Sequence, residues 1–461
     1  MNAAGPDAPL DVAIVGGGIA GLAAAWELGI RGLRARVLEA GPRPGGVIRT
    51  ERFDGWVIDE GPDALLAQKP AGIELCRELG LAERLVSTLT PRTAWVQHRG
   101  RLYPIAEGSF LGFPVRLGAL VRSPLFSLAG KARMACEILV PRGDGETDES
   151  IAAFVRRRFG QEAVDRLAEP LLAGIHAGAA ERLSMRALFP RLLEAEQRHG
   201  SVLRAARALG GVPAPRGAFV SLPGGTGELV DVLHRALGHE AVALSTRVTE
   251  IRRVAGYVLE TDHGAVAARA VLLAVPAWAA AGLLRGFDTT LAGLCDTVPY
   301  ASTATVAFGF RRAQVRHSLA GSGYVVPRTE RSPLLAATWV SSKWPGRAPE
   351  GSVLLRAFLG GARDPRRLDR DDGELVASAH AALAATLGID GAPLFSRLAR
   401  WTRQSPQHET GHLDRVATIE TRLAAQPGLY LAGSGFRVAG IPDCIADARA
   451  QAARIAEFLG P

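Results

Sequence analysis

Gly16-Gly17-Gly18-Ile19-Ala20-Gly21 follows the apolar run Val12-Ala13-Ile14-Val15, and Glu39 closes a second apolar run, Val37-Leu38. Glycines at a strand-to-helix turn let the backbone approach a pyrophosphate, and the helix N-terminus turns unpaired N–H groups and positive dipole density toward it. An acid at the end of the next strand, about 20 residues on, can bind ribose hydroxyls. The combination predicts a dinucleotide site. A second glycine pair, in Pro44-Gly45-Gly46-Val47-Ile48-Arg49-Thr50, comes directly after the acid, where a plain NAD domain has no use for it. A third glycine turn, Ala432-Gly433-Ser434, precedes Val438-Ala439-Gly440-Ile441-Pro442-Asp443-Cys444, which opens the last helix. A helix N-terminus there can stabilise negative charge on a reduced flavin ring. The three segments together favour FAD over NAD.

Other reactive side chains are weaker candidates. His176, beside Gly174, reads as structural, and no general base is assigned. Lys343 reads as a surface lysine, the usual place for that residue. The cysteines Cys76, Cys136, Cys295 and Cys444 form no CxxC pair and no metal-ligand cluster with histidine, so no metal site is expected and a reduced, intracellular compartment is favoured.

The elements that must position these groups follow from periodicity. Residues from Asp11 to about Pro62 alternate strand and helix signals, as an α/β nucleotide domain does. A helical pattern covers Ala64 to Leu81, and Trp95 to Pro104 reads as a hairpin turning at Arg99-Gly100-Arg101. Pro114 to about Gly210 is mostly helical, with Ile151, Phe154, Val155 and then Leu167, Leu171, Leu172 at amphipathic spacing. Gly210 to Gly217 is a connector. Strands are expected at 242–248, 257–261 and 271–275, and a β-rich stretch at 303–310, 323–326, 334–339 and 353–359. Helices are expected at 228–237, 374–387 and 443–459, with a buried strand at 429–433.

The chain has 461 residues, is 48% hydrophobic and carries a formal net charge of +8, so it can bury a large core and attract anionic partners. Lysine occurs only at Lys69, Lys131 and Lys343. No Lys/Arg run with interleaved aromatics points to nucleic acid, and Arg156-Arg157-Arg158 reads as a solvated helix face. Val12 to Ile30 is apolar enough to imitate a membrane span, but its glycines, Trp26 and Glu27 indicate a buried strand and helix. The N-terminal residues lack the basic region of a signal peptide.

Read together, the scattered segments resemble the oxygen-dependent protoporphyrinogen/coproporphyrinogen oxidases, within the amine-oxidase-like flavoproteins. The resemblance is carried by Gly61-Pro62-Asp63, by Glu169 to Ile175, by Ser184 to Pro190, and by Glu196 with His199-Gly200-Ser201. Ser341 to Pro345, Leu359 to Ala362, Pro406-Gln407 with Gly411-His412, and most specifically Gly440-Ile441-Pro442-Asp443-Cys444 complete it. It implies an α/β fold: a discontinuous Rossmann-like FAD-binding domain, an α+β substrate domain on a mixed sheet, and a helical insertion. The implied boundaries are 1–90, 211–280 and 401–461 for the FAD-binding segments, 91–113 for a substrate-domain hairpin, 114–210 for the helical region and 281–400 for the substrate domain. Flavin contacts carry over to Gly16, Gly17, Gly18, Ile19, Ala20, Gly21, Glu39, Ala40, Gly45, Gly46, Val47, Gly61, Pro62, Asp63, Ala64, Val248, Trp401, Ser434, Ala439, Gly440 and Ile441. Substrate contacts carry over to Gly174, Ile175, Leu335 and Phe358. Arg92, Arg99 or Arg101 stands where relatives hold a substrate propionate.

The resemblance further implies oxidation of a porphyrinogen, with molecular oxygen as acceptor and hydrogen peroxide as product. Gly108-Ser109-Phe110-Leu111-Gly112-Phe113-Pro114 resembles the loop of members acting on coproporphyrinogen III, while the whole chain also fits members acting on protoporphyrinogen IX. The helical region resembles a membrane-associating domain, which with the basic charge suggests a cytoplasmic protein in peripheral contact with the inner face of the membrane. Oligomeric state is left open. Two rivals share the cofactor segments: an amine oxidase or carotenoid desaturase, and a non-catalytic binding protein on the same fold.

Overall fold

The computed structural model describes residues 9–105, 109–110, 113–114, 117–208 and 217–460. Of the loop at 108–114, Gly108, Leu111 and Gly112 lie outside the described residues, as do 210–216 of the expected connector.

The chain's first strand, Leu10–Val15, is flanked in parallel by Ala35–Leu38 and by Gly264–Leu273. Gly264–Leu273 changes partners along its length: Gly264 to Ala268 pairs antiparallel with Tyr257–Thr261, while Val271 to Leu273 pairs in parallel with Leu429–Leu431. The seven-stranded sheet thus draws on three distant parts of the sequence. The helix Ile19–Ile30 is apolar nearly all round (Ile19, Leu22, Ala23, Ala24, Ala25 and Leu28 are buried), which a helix tolerates only when covered on several sides. Its cover is the closing helix Ile441–Leu459, with Ile445, Ala448, Ala452 and Ile455 in the same core. No helix among the described residues is long and apolar enough to cross a membrane.

A second seven-stranded sheet runs in the order Phe395–Pro406, Tyr300–Arg311, Ser352–Gly360, Leu334–Trp339, Gly323–Val325, Ala94–His98 and Arg101–Pro104. Only Gly323–Val325 and Ala94–His98 pair in parallel, so the sheet is mixed. The hairpin turns at Arg99 and Gly100, both at positive φ. Side chains alternate across the sheet. Val306, Phe308, Phe310, Leu355, Ala357 and Leu359 pack under the helix Asp372–Leu387. Thr305, Arg356 and Phe358 face the other way.

Several elements depart from expectation. The helix after Ala64 begins only at Pro70, because Leu65–Leu66 is held as a strand by Phe219–Ser221 and Pro70 suits a first helical turn. The strand Phe395–Pro406 was not foreseen, since Ser396, Arg397, Arg400, Thr402, Arg403, Gln404 and Ser405 break up its apolar residues without a regular period; the 400/401 boundary falls inside it. The helical region, from Leu117–Arg122 to Val202–Ala208, has its own apolar core around Phe154, Val155, Leu167 and Leu172. Within it Arg158 corrects the expected solvated face. It is fully buried, bonded to the carboxylates of Glu137 and Glu196 and to the carbonyls of Val140, Pro141 and Gly200. A buried guanidinium needs such pairing, and spacing alone cannot reveal the partners.

Candidate functional site

The first glycine turn is closed on one side and open on the other. A Cβ on Gly21 would lie 1.9 Å from the carbonyl oxygen of Gly16, so helix and strand meet there with no room for a side chain. A Cβ on Gly18 would meet nothing within 4 Å. Gly45, from the second glycine pair, donates its N–H to Gly17 O at 2.7 Å and bridges Gly18. The two glycine segments, read separately from the sequence, are therefore one cradle whose open face is lined by backbone. Glu39 sits at its edge, accepting from Gly17 N at 2.6 Å and Gly41 N at 2.7 Å. Each carboxylate oxygen retains acceptor capacity for a further donor. Ala40 is exposed beside it, and Val248 starts the edge strand that follows Thr246, whose N–H bonds Glu39 O. Backbone glycines, an open concavity and a carboxylate rim fit the ribose–diphosphate part of FAD.

Gly61 to Ala64 crosses from this cradle to the second sheet. A Cβ on Gly61 would lie 2.0 Å from Val47 O, so these two cofactor candidates touch. Glu60 O accepts from Trp401 Nε1 at 3.1 Å and from Thr305 Oγ1 at 2.7 Å. Gly61 O accepts from Arg356 at 2.8 Å. Asp63 receives Lys343 Nζ at 2.8 Å and Trp344 Nε1 at 3.2 Å, with Arg356 at 3.5 Å. Burial pushes the Asp63 carboxyl up, but the cations of Lys343 and Arg356 outweigh it and hold the group well below the usual carboxylate range. Lys343 is thus not the surface residue expected; its side chain is only 13% exposed. Arg356 was missed altogether. Its signal was a lone charge within the apolar run Val353 to Leu359, which must be paired if that strand is buried.

Ser434, Ala439 and Gly440 lie on the loop that leads into the closing helix, and Ile441 is that helix's first residue. Gly433 N donates to Asp447 at 3.0 Å, and Gly440, at φ +100°, precedes the first helical turn. Lys69 pairs with Asp443 in that turn at 2.5 Å.

The substrate candidates come from separate elements. The helix Glu169–His176 continues a π-helical stretch, Val164–Ala168, and packs Ala173 and Ala177 against Leu335 and Phe358. A Cβ on Gly174 would stand 3.3 Å from Val325 and 3.4 Å from Ala336, so this helix rides close on the sheet. Leu335 is the extra residue of a β-bulge: Leu334 pairs with Leu359 and Ala336 with Phe358. The bulge turns it onto the Phe358 face, a use typical of bulges near sites. Ile175 is 68% exposed, a large apolar side chain left uncovered beside this cluster. Arg92 instead turns back to Thr88 at 3.0 Å, and at the hairpin tip Glu330 accepts the backbone N–H groups of Arg99 and Gly100.

The arrangement is a backbone-lined cradle joined to a mostly apolar wall by an ion-paired loop. The model of one family, "Flavin containing amine oxidoreductase", matches residues 19–456. The chain is 35% identical to coproporphyrinogen III oxidase of Bacillus subtilis over 98% of this chain and 99% of that one. It is 30% identical to the chloroplastic protoporphyrinogen oxidase of Nicotiana tabacum, covering 99% of this chain and 87% of that one. A solved structure from Exiguobacterium, assigned as a protoporphyrinogen oxidase, superposes with a TM-score of 0.86 at 34% identity, over 96% of this chain and 98% of that chain. A reduced UDP-galactopyranose mutase, at 18% identity and TM-score 0.74, shares the fold alone.

Proposed function

The chain belongs to the coproporphyrinogen III and protoporphyrinogen oxidases within the flavin-containing amine oxidoreductases, and from that premise we propose that it oxidises a porphyrinogen to the porphyrin. The observation that carries the reading is the convergence of Gly174, Leu335 and Phe358 on one face of the second sheet, the face that also holds the Gly61–Asp63 loop. A flat, hydrogen-rich macrocycle needs wide apolar walls and few ionisable neighbours, because the hard chemistry belongs to the cofactor.

FAD is the flavin we propose. The glycine cradle and Glu39 would hold its diphosphate and ribose, and the Ser434 to Ile441 loop its ring end. When bound, the flavin supplies a two-electron acceptor for each of three successive steps. The residues of the chain bind and orient. Leu335, Phe358 and Ile175 would exclude water from the macrocycle, and the ion-paired Asp63 would stay charged and fixed rather than exchange protons. Each step takes a hydride and a proton from the substrate, and molecular oxygen takes the electrons to give hydrogen peroxide. The higher identity to a coproporphyrinogen III oxidase supports the tetracarboxylate as the preferred substrate.

The test is porphyrin fluorescence under air, with coproporphyrinogen III and protoporphyrinogen IX supplied separately. Faster emission from the former is expected, and no emission from either removes the reading. A polyamine turned over instead would favour an amine oxidase.

We also propose peripheral membrane contact by a cytoplasmic protein. Val121, Leu128 and Leu139 are 66%, 85% and 75% exposed on the helical region, near Arg122 and Lys131. Apolar side chains flanked by cations suit an anionic lipid surface. Flotation with phosphatidylglycerol vesicles should carry the protein upward; protein left at the bottom removes the idea.

A further inference from the structure

We infer that Ser405–His412 is a strap that fixes the cofactor-end loop Gly433–Gly440 against the substrate-side helix Glu169–His176, with His408 and His412 as its positioning residues. The inference deepens the functional reading above and rests on it for the place of the flavin ring.

The strap begins where the strand Phe395–Pro406 leaves the second sheet. Ser405 Oγ and Gln407 Nε2 both donate to His176 O, at 2.9 and 3.0 Å, so they grip the C-terminal end of the helix that carries Gly174 and Ile175. Gln407 fills the space beside Gly178, where a Cβ would lie 2.6 Å from its Oε1. His408 O accepts Ser184 N at 2.8 Å, tying in the helical region. Two ring nitrogens then reach the cofactor-end loop. His408 Nε2 donates to Ser434 O at 2.9 Å and His412 Nε2 to Phe436 O at 2.5 Å. The two imidazoles stack with centroids 4.1 Å apart and planes 10° from parallel. Gln407, His408 and His412 are 2%, 3% and 0% exposed, so water cannot replace these bonds.

The chemistry fixes the tautomer. A carbonyl only accepts, so each Nε2 carries its proton and each neutral ring leaves Nδ1 bare. His412 Nδ1 is buried without a hydrogen-bond partner among the described residues. A proton there would be an unsatisfied buried charge against a second ring, at the first position of the helix His412–Ala424, where the dipole also opposes it. The groups facing the pair are Arg415 and Asp148 toward His412, and His176, with Lys69 beyond it, toward His408. Burial pushes all three histidines down, His412 and His176 to about 4. The strap therefore keeps one hydrogen-bonding state across the neutral range. Apolar residues could fill the same volume but would leave two loop carbonyls unpaired.

Amide hydrogen exchange on the purified full chain tests the strap. His412→Leu should speed exchange of the Gly433–Gly440 amides about tenfold, the equivalent of one lost hydrogen bond, with Ser352–Gly360 unchanged. His412→Gln keeps an N–H donor on a side chain of similar reach and should restore most of the protection. The absorption fine structure of retained flavin should blur in the leucine variant and return in the glutamine variant. If His412→Leu does not fold, His408→Leu and His408→Gln make the same comparison at Ser434. Loop exchange equal in all variants, or protection by leucine matching that by glutamine, overturns the strap. Porphyrin formation is read separately. A wild-type chain that turns over no porphyrinogen but shows the exchange pattern loses the functional reading and keeps the strap.

Discussion

Lys343 Nζ lies 2.8 Å from Asp63 Oδ2 with both side chains nearly shielded from water, and the pair joins the loop leaving the glycine cradle to the second sheet. Removing the cation leaves Asp63 with Trp344 Nε1 and a more distant Arg356. Lys343→Met should cost about 1–3 kcal/mol in denaturant unfolding, the range for a buried charged acceptor losing a donor. It should also raise the Asp63 carboxyl, because burial is then opposed by one cation fewer. An unfolding midpoint unchanged from wild type would show that the pair holds nothing.

Two glycines of the first turn should fail in different ways. Gly21→Val forces a side chain into Gly16 O and should lower the melting temperature of the protein even without flavin. Gly18→Val points into open space and should leave that temperature nearly unchanged while abolishing yellow colour after reconstitution with FAD. The two readouts are thermal unfolding and the ratio of 450 to 280 nm absorbance, read at roughly those wavelengths as a flavin signature. Full flavin retention in Gly18→Val would place the cofactor elsewhere.

Acid should weaken the fold through the histidine cluster. The folded values of His412 and His176 lie near 4, below the ordinary 6.5, so the unfolded chain binds their protons first as the pH falls. Their contribution is fully present above about pH 6.5 and is lost on the way down to about 4, at up to about 1.4 kcal/mol per pH unit for each histidine. Urea titrations at pH 7.5, 6 and 5, values chosen about this window, should show the slope, and His412→Gln should reduce it by the His412 share, leaving that of His176. A flat profile in the wild-type chain would contradict the buried neutral rings.

The Arg158 network makes a sharper demand. Arg158, Glu137 and Glu196 are all almost completely buried, and Ser201 Oγ adds a 2.5 Å bond to Glu137. Glu137→Ala should cost about 3–5 kcal/mol, since it strands a buried guanidinium. Replacing Glu137 and Arg158 together by methionine should recover much of that loss. The comparison requires only chemical unfolding of the three proteins.

Ile175 and Leu335 should separate binding from stability. Ile175 is largely exposed, so Ile175→Ala should change stability by less than about 0.5 kcal/mol yet raise KM for the porphyrinogen. Leu335 is buried at its bulge, and Leu335→Ala should cost about 2–5 kcal/mol. Equal KM values for wild type and Ile175→Ala would remove Ile175 from the substrate wall.

Local signals made the half of the fold around the glycine turn readable. Gly16 to Gly21 and Glu39 act within one strand–turn–helix–strand unit, so their spacing in sequence is nearly their spacing in space. The hairpin at Arg99-Gly100 was legible for the same reason. The strand Phe395–Pro406 was not, because its residues face a helix on one side and solvent or the site on the other, and no clean alternation survives. The partners of Asp63 come from about 280 and 293 residues away, a pairing that only tertiary packing decides. Bulges at Leu335 and beside Trp401 shift side chains between faces, which period-two reading cannot anticipate.

The strand Gly264–Leu273 lies between the first strand and Leu429–Leu431, and the closing helix covers the apolar helix Ile19–Ile30. During synthesis the glycine turn is made long before Ile455, so its helix lacks the cover of the closing helix until those residues follow. A long stretch of translation therefore passes with one side of that oily surface unprotected. Chaperone occupancy should concentrate on nascent chains that hold the Ile19–Ile30 helix and not yet its partner.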